Sequence, residues 1–518
     1  MNWKENNRQY IKKCWEENKL SWWISVFFLL LTYGIRLTYI SLSHDTDAII
    51  SIPEKLYESW YSMGRFGLIV LKKCLGVYSF NPYVASFLMF VTMLVGSFVW
   101  MALFSALWGK EKTKYFHWIF PVVFYTSTIM AEQFGFMLQT YEVSLSIVLL
   151  GVILFYQYWT FLNKKSLVWY LPGFLFLLLI FSIYQSFIFL YPVAVAATLL
   201  IFCEGERQKT REVGDKILWG FIIRFVLVFI LAFVCNQILG KVIMNYMHIE
   251  PTEYLMEQIH WGKAPVKENL ARIFAHVKAV YMGEGIFYSK AYALLSFLFL
   301  FTAIYQGIKK ERGRFTYLLI VVFCMIGPFL LTIIMAGASA ARVQFSLPFL
   351  SGFFFWYLVA IWKKKSKFIF IVFLCLGFLV SMKQSLMSAR LYYTNYVQYQ
   401  EDVRLAVKIS DRIDQLDLGE LPKEPVVFVG RRLPQANVSA IPSDDLELIG
   451  KSFWELSFGT SHGTWVMNHF LDAVGYSYVY PTKEEVEKAE VIAKQMPIWP
   501  NTGSVVARDG IIVVRLSE

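Results

Sequence analysis

Two carboxylates one residue apart, Asp45 and Asp47 in Ser43-His44-Asp45-Thr46-Asp47, are the residues of this chain best suited to acid–base or metal chemistry. They follow an apolar stretch, 21–42, where the outer boundary of a membrane is expected. Ionised carboxylates at such a boundary cost free energy unless water, a cation or a substrate stabilises them. On an extended backbone, residues i and i+2 project to the same side. That arrangement suits a shared divalent cation, Mg²⁺ or Mn²⁺. It equally suits one carboxylate acting as a base while its neighbour tunes or orients it. Two ordinary acids on a solvated loop are the alternative, and the rest of the chain has to decide.

Further polar residues fall at the same expected level. Arg65 stands in Gly64-Arg65-Phe66-Gly67, where flanking glycines allow close approach to a phosphate and the guanidinium fork matches phosphate oxygens. Trp60 precedes it in a stretch that suits helices lying in the membrane interface. Glu132 sits in a short turn between apolar segments, and Glu142 opens the next helix. Tyr184-Gln185-Ser186 divides the apolar stretch 167–203, which folds only as a hairpin with this trio at its tip. Arg342, among small residues and between apolar helices, is placed to pair with an acid or bind an anion. His248, His260 and His276 share a long outer loop, 244–289, without the tight spacing of metal ligands, so a substrate-facing role is expected for His260.

The elements that carry these residues follow from composition. Of 518 residues, 57% are hydrophobic and only 17% charged, whereas soluble domains carry roughly a quarter charged residues. The chain is expected to be a mainly α, polytopic membrane helix bundle. At ~20 residues per span, about eleven transmembrane helices are expected, near 21–42, 83–107, 115–130, 142–162, 167–183, 186–203, 217–243, 290–308, 315–335, 343–362 and 367–386. The net charge of +11 does not point to nucleic acid, because the cations form short runs between apolar segments. The N-terminus (Lys4, Arg8, Lys12, Lys13, Lys19), Lys110/Lys112/Lys114, Lys164/Lys165, Arg207/Lys209/Arg211, Lys309/Lys310/Arg312/Arg314 and Lys363/Lys364/Lys365/Lys367 make one basic set. The intervening loops around Glu132, Tyr184 and Ser339 have almost no cations, so the N-terminus is expected inside and the C-terminus outside the cytoplasmic membrane. The six cysteines include no CxxC pair, and the region beyond 387 has none, so neither a disulfide framework nor structural zinc is indicated.

From about 387 acids return (Glu401, Asp402, Asp411, Asp414, Asp417, Glu420) and apolar runs shorten. An amphipathic helix over 396–416, a buried strand at Pro425–Gly430, helices at 464–474 and 483–495, and a strand pair at 504–508 and 511–516 joined by Asp509-Gly510 are expected. The chain therefore divides into a transmembrane domain, 1–386, whose outer loops 43–82 and 244–289 form the site, and a small extracytoplasmic α/β C-terminal domain, 387–518.

Taken in order, His44-Asp45-Thr46-Asp47, Trp60 with Gly64-Arg65-Phe66-Gly67, Ile183-Tyr184-Gln185-Ser186, Ala341-Arg342 and a C-terminal domain containing Met496-Pro497 resemble the glucosyltransferase II family of bacterial membrane glycosyltransferases, whose members glucosylate O-antigen. The resemblance runs nearly the whole length and implies the GT-C class, whose enzymes use polyprenyl-phosphate sugars and commonly place a catalytic acid in the first outer loop. It points to Asp45 or Asp47 as the base, without choosing between them. Arg65 and Arg342 are then candidates for the leaving phosphate, with Tyr184 and Gln185 as neighbours and His44, Trp60, Glu132 and His260 as further substrate-binding residues. Any metal would fall to Asp45 and Asp47; the class has metal-dependent and metal-independent members.

The implied partners are a polyprenyl-phosphate-linked sugar donor, a cell-surface glycan acceptor (O-antigen, teichoic acid or another wall polymer) and membrane lipids, with no nucleic acid. A polymerase or ligase joining whole lipid-linked glycans would share this geometry. A transporter or flippase would instead be expected to carry ionisable residues near helix midpoints. Here the helix centres are nearly free of charge, with Arg36, Arg224 and Lys241 towards segment ends.

Overall fold

The computed structural model describes residues 7–109, 115–208, 211–252, 257–419, 422–434, 437–455 and 459–518. Lys4, Lys110, Lys112, Lys114, Lys209 and Glu420 lie outside them. Helices dominate. In chain order they are α1 (Asn7–Tyr33), α2 (Ile35–Thr38), α3 (Thr46–Ser51), α4 (Pro53–Ser62), α5 (Phe66–Cys74), α6 (Pro82–Trp108), α7 (Ile119–Tyr125), α8 (Thr128–Gly135), α9 (Thr140–Leu162), α10 (Leu171–Ile183), α11 (Ser186–Arg207) and α12 (Asp215–Met247). There follow α13 (Val266–Met282), α14 (Ala291–Ile308), α15 (Arg314–Ile326), α16 (Leu330–Met335), α17 (Ser346–Trp362), α18 (Lys367–Asp414), α19 (Thr460–Ala473) and α20 (Lys483–Ala493).

Among the described residues, seven helical stretches are long and apolar enough to cross a membrane: Pro82–Trp108, Met137–Leu162, Ser186–Arg207, Asp215–Met247, Ala291–Ile308, Arg314–Met335 and Lys367–Asp414. Two apolar helical stretches, Leu167–Ile183 and Ser346–Trp362, are shorter. This is a membrane protein. The helix α12 shows why: Ile223, Leu227, Leu231, Val234 and Ile238 are exposed, while Leu218, Phe221, Phe225, Val228 and Ala232 are buried. One apolar stripe packs on neighbouring helices and the opposite one is as apolar, which only a hydrocarbon solvent tolerates.

Two expected spans take a different form. Residues 21–42 do not make one helix, because α1 stops at Tyr33 and only the short α2 follows. The stretch 115–130 contains α7 and the start of α8, of seven and eight residues, separated at Thr126–Ser127. The Ser127 hydroxyl accepts the Ile129 N–H at 3.2 Å and restarts the helix. Both pieces are buried, with Phe120, Val123, Phe124 and Tyr125 fully enclosed and Phe120 5.0 Å from Phe349. Apolar composition read there as a lipid-facing span is an interior helix pair.

The chain forms two compact units. The first comprises Met1–Gly34, Glu58–Phe134 and Gln139–Ala389, and holds most of the long apolar helices, the last of them, α18, only as far as Ala389. Within it α6 packs on α9, α7 on α17 and α10 on α12. The second comprises Ile35–Tyr57, Gly135–Leu138 and Arg390–Glu518. Its sheet has the order β1-β3-β2, with β1 (Val426–Val429) parallel and β2 (Val505–Arg508) antiparallel to β3 (Ile511–Arg515). The β2–β3 turn is Asp509-Gly510, both with positive φ, as the sequence predicts for a tight hairpin. The helix α20 starts on a capping box, Thr482 accepting the Glu485 N–H while the Glu485 carboxylate accepts the Thr482 N–H. Its Val486, Ala489 and Ile492 pack on Val427, Ile511 and Val513 of the sheet. The helices expected separately over 367–386 and 396–416 are one 48-residue helix, α18, since neither proline nor glycine follows Gly377 within it.

Candidate active site

Asp45 and Asp47 do not lie on an extended strand. Asp45 precedes α3 in the left-handed region, φ 69° and ψ −22°, and Asp47 occupies the first turn of that helix. Left-handed backbone is uncommon outside glycine, with asparagine and aspartate the usual exceptions. The consequence is divergence: Asp45 is exposed, Asp47 buried at 2%. Burial, and then the charge of Asp45, push the Asp47 carboxyl up to about 8, against the smaller opposing effect of backbone N–H groups at the start of α3. Its Oδ1 has no hydrogen-bond partner among the described residues.

The surroundings of this carboxyl come from the C-terminal part of the same unit. The Ser51 hydroxyl bonds the Asp47 carbonyl at 2.7 Å and the His469 carbonyl at 2.9 Å, tying α3 to α19. His44 is buried, its Nε2 3.2 Å from the Ser452 carbonyl and its ring 4.5 Å from Phe453. A carbonyl only accepts, so Nε2 carries the proton, and burial lowers the imidazole to about 3 and keeps it neutral. His44 thus positions the segment leading into Asp45 and Asp47. Ser452, His469 and Tyr480 were not legible as neighbours of this segment in the sequence. Tyr480 bonds His469 Nδ1 at 2.9 Å and donates to Asp472, and its hydroxyl is raised by burial, by Asp472 and by the charge of Asp47.

The predicted cationic residues belong to the helical unit. The Gly64-Arg65-Phe66-Gly67 motif has a local logic: Gly64 turns the chain at φ 74°, and the Arg65 N–H closes the turn on the Trp60 carbonyl at 2.8 Å. A Cβ on Gly67 would stand 2.0 Å from Ser182 Oγ and 3.1 Å from the Ser182 carbonyl carbon, so only glycine lets α5 approach α10. That approach brings Arg65 to the hairpin tip. Arg65 Nε donates to Gln185 Oε1 at 3.1 Å, its guanidinium lies 4.8 Å from the Tyr184 ring centre, and Gln185 donates to the Met63 carbonyl at 2.5 Å. Arg65, Tyr184 and Gln185, read separately in the sequence, form one cluster.

The same unit holds a buried ion pair between residues far apart in the sequence. Lys72, 1% exposed, forms an ion pair with Glu142, 0% exposed, and its ammonium lies 5.8 Å from the buried Trp60 ring centre and 5.2 Å from that of Tyr141. The signal was present as a lysine within the apolar run 66–75 and an acid opening an apolar helix. Glu132 is fully buried within α8. Arg342 is half-buried in the short turn Ala341–Val343, and the His260 N–H bonds the Met335 carbonyl at 3.0 Å. The turn bearing Arg342 is held by Gln344, which donates to Ser339 at 2.7 Å and contacts Tyr288, itself 2.8 Å from His276. Tyr288, Lys290 and Lys383 line a cavity of about 570 Å³ in this unit.

For a metal, the two carboxyls are a poor fit, one exposed and the other enclosed. No group of three or more His, Cys, Asp or Glu among the described residues could hold an ion. The second unit can instead supply a buried base tuned by its neighbour; the helical unit, taken by itself, holds an arginine suited to phosphate. No curated protein and no solved structure matches the chain. The family described as Glucosyl transferase GtrII matches residues 34–359, more than half the chain, which include Asp45, Asp47, the Arg65 cluster and Arg342. A membrane protein with these residues inside that match is a glycosyltransferase, and the chain belongs to the Glucosyl transferase GtrII family.

Proposed function

We propose that this protein transfers a single sugar, glucose, from undecaprenyl-phosphate-glucose to a cell-surface glycan on the outer face of the cytoplasmic membrane, with inversion at the anomeric carbon. The observation that carries the mechanism is the buried Asp47 carboxyl, raised to about 8 beside the exposed Asp45. A general base works best with a pKa near the operating pH. Asp47 takes the proton of an acceptor hydroxyl as that oxygen bonds to the sugar C1. The C1–O bond to the lipid phosphate breaks, and the phosphate leaves with the electron pair. Asp45 holds the basicity of Asp47 high. No step runs through a metal.

Arg65 and Arg342 are the cations assigned to the donor phosphate, where donors aimed at developing charge contribute most. Lys290 and Lys383, on the 570 Å³ cavity, are further cations of the helical unit suited to a phosphate. The basic runs Lys164/Lys165, Lys309/Lys310 and Lys363/Lys364/Lys365, alternating with cation-poor loops, support an N-terminus inside and the C-terminal domain outside. Arg65→Ala is expected to raise the KM for the lipid donor by roughly tenfold or more, with Arg65→Lys recovering little because a lysine lacks the planar fork. Unchanged donor affinity in both variants would remove Arg65 from the site.

The test is transfer by the purified protein in detergent from undecaprenyl-phosphate-glucose to wall or O-antigen glycan, with and without EDTA, reading the anomeric configuration of the product by NMR. Inverted product insensitive to EDTA is expected. Retained configuration, or loss of transfer with EDTA restored by Mg²⁺ or Mn²⁺, overturns the mechanism. Transfer of whole glycan chains in place of single sugars would assign the protein to polymerisation or ligation.

A further inference from the structure

The C-terminal unit contains a cavity of about 140 Å³ that the proposed chemistry does not use. Its walls are Gln398, Glu401, Arg404 and Lys408 of α18, Arg432 after β1, and Trp454. Glu401, Arg404 and Lys408 stand three and four residues apart and so share one face of the helix. The Arg432 N–H bonds the Trp454 carbonyl at 2.7 Å, which fixes the opposite wall.

The floor is rigid and self-sufficient. Asp402, buried at 2%, accepts from Ser452 Oγ at 2.7 Å, from Gln398 Nε2 at 2.9 Å and from the Phe453 N–H at 2.9 Å. The Trp454 indole donates to the Asp402 carbonyl at 3.2 Å. Asp402 thus engages its oxygens with these donors and forms no ion pair with the cations of the walls. Among the described residues, no ion pair or side-chain hydrogen bond engages Arg404, Lys408 or Arg432. Three cations, none of them ion-paired among the described residues, line one hollow with two carboxyls, Glu401 and Asp402, and the excess of positive charge suits an anion. The acceptor groups on the same wall, Gln398 Oε1 and the Glu401 carboxylate, match hydroxyl donors.

We infer that this cavity binds a phosphodiester group of the acceptor glycan, with Arg404, Lys408 and Arg432 on the phosphate and Gln398 and Glu401 on neighbouring hydroxyls. The inference rests on the transferase reading and narrows its acceptor to a phosphate-bearing polymer. A glycan is favoured over a lipid headgroup because the cavity is small and mainly polar-walled, with Leu405, Leu433, Pro434 and Trp454 as its apolar lining. It also communicates with the candidate base: the Ser452 hydroxyl bonds Asp402, and the Ser452 carbonyl meets Nε2 of His44, ahead of Asp45 and Asp47.

The experiment is equilibrium binding of an oligo(glycerol phosphate) to the full-length protein in detergent. An uncharged glucose oligomer of equal length and phosphatidylglycerol micelles serve as comparisons. The measurement is made on the parent and on the paired variant Arg404→Ala with Arg432→Ala. We expect binding to the phosphate oligomer to weaken roughly ten- to a hundredfold in the paired variant, with an unchanged thermal unfolding profile, since each lost charged contact is worth about tenfold. Arg404→Lys with Arg432→Lys should recover part of it, as restored charge but not a restored fold would. Equal binding in parent and paired variant overturns the inference, and so does phosphatidylglycerol competing as well as the oligomer. Either result with sugar transfer intact leaves the transferase standing. No transfer from any lipid-linked sugar, with binding still sensitive to the paired variant, overturns instead the transferase reading and with it the acceptor assignment.

Discussion

Asp47→Asn is expected to lower sugar transfer by ~10²–10⁴-fold, the usual worth of a positioned general base, while the protein still inserts and folds. The pH dependence gives the sharper signature. With a carboxyl near 8 that must be ionised to accept a proton, kcat/KM should rise with pH and level off above about 8. Asp45→Asn removes the neighbouring negative charge, so the Asp47 carboxyl falls and the rising limb moves to lower pH, with some activity retained. Stability moves the other way. An unfolded carboxylate ionises near 4, so between that pH and about 8 the folded protein binds the extra proton and loses stability as pH rises. Asp47→Asn abolishes this loss, and the variant should be no less stable than the parent at pH 8, although inactive. A pH–rate profile unchanged in Asp45→Asn, or full activity in Asp47→Asn, removes the pair from the chemistry.

How much of this was readable before the fold depended on where the information lay. Local signals transferred well. The Asp509-Gly510 turn, the strand at Val426–Val429 and most apolar helices follow from patterns within a few residues. The Gly64-Arg65-Phe66-Gly67 motif suggests close approach to a phosphate from its glycines alone, but its geometry comes from Ser182, more than a hundred positions away, which excludes a Cβ at Gly67. The Asp45–Asp47 spacing predicts a shared side on an extended backbone, and a left-handed Asp45 followed by a helix separates the two instead. Period alone could not foresee that, because one residue with positive φ reverses which way its successor points. Apolar composition at 119–135 similarly cannot distinguish lipid from protein as the neighbour of a helix. Lys72, within an apolar run, and Glu142, opening an apolar helix, each stand out in the sequence, but nothing local joins them, and only the tertiary contact of α5 with the start of α9 makes them partners.

That pair carries the largest expected effect on stability. A buried ion pair is costly to assemble and costlier to break, because removing one partner strands the other charge without water. Lys72→Met alone or Glu142→Gln alone is expected to destabilise the protein by about 3–5 kcal/mol. Membrane proteins often unfold irreversibly, so the measurement is the half-life of folded protein in detergent at a fixed temperature. The single variants should also lose donor affinity, because α5 carries Arg65 at its start and its inner face is held by Gly67 against Ser182 and by Lys72 against Glu142, Trp60 and Tyr141. Lys72→Met combined with Glu142→Leu removes both charges at similar volume and should return most of the lost half-life, since a packed apolar pair avoids the desolvation cost altogether. If the combined variant regains the half-life and also the donor affinity, the pair serves as a clamp on α5. If it regains the half-life while donor affinity stays low, the charge of Lys72 itself contributes to the phosphate field around Arg65. Single variants as long-lived as the parent would show that the pair does not hold α5 in place.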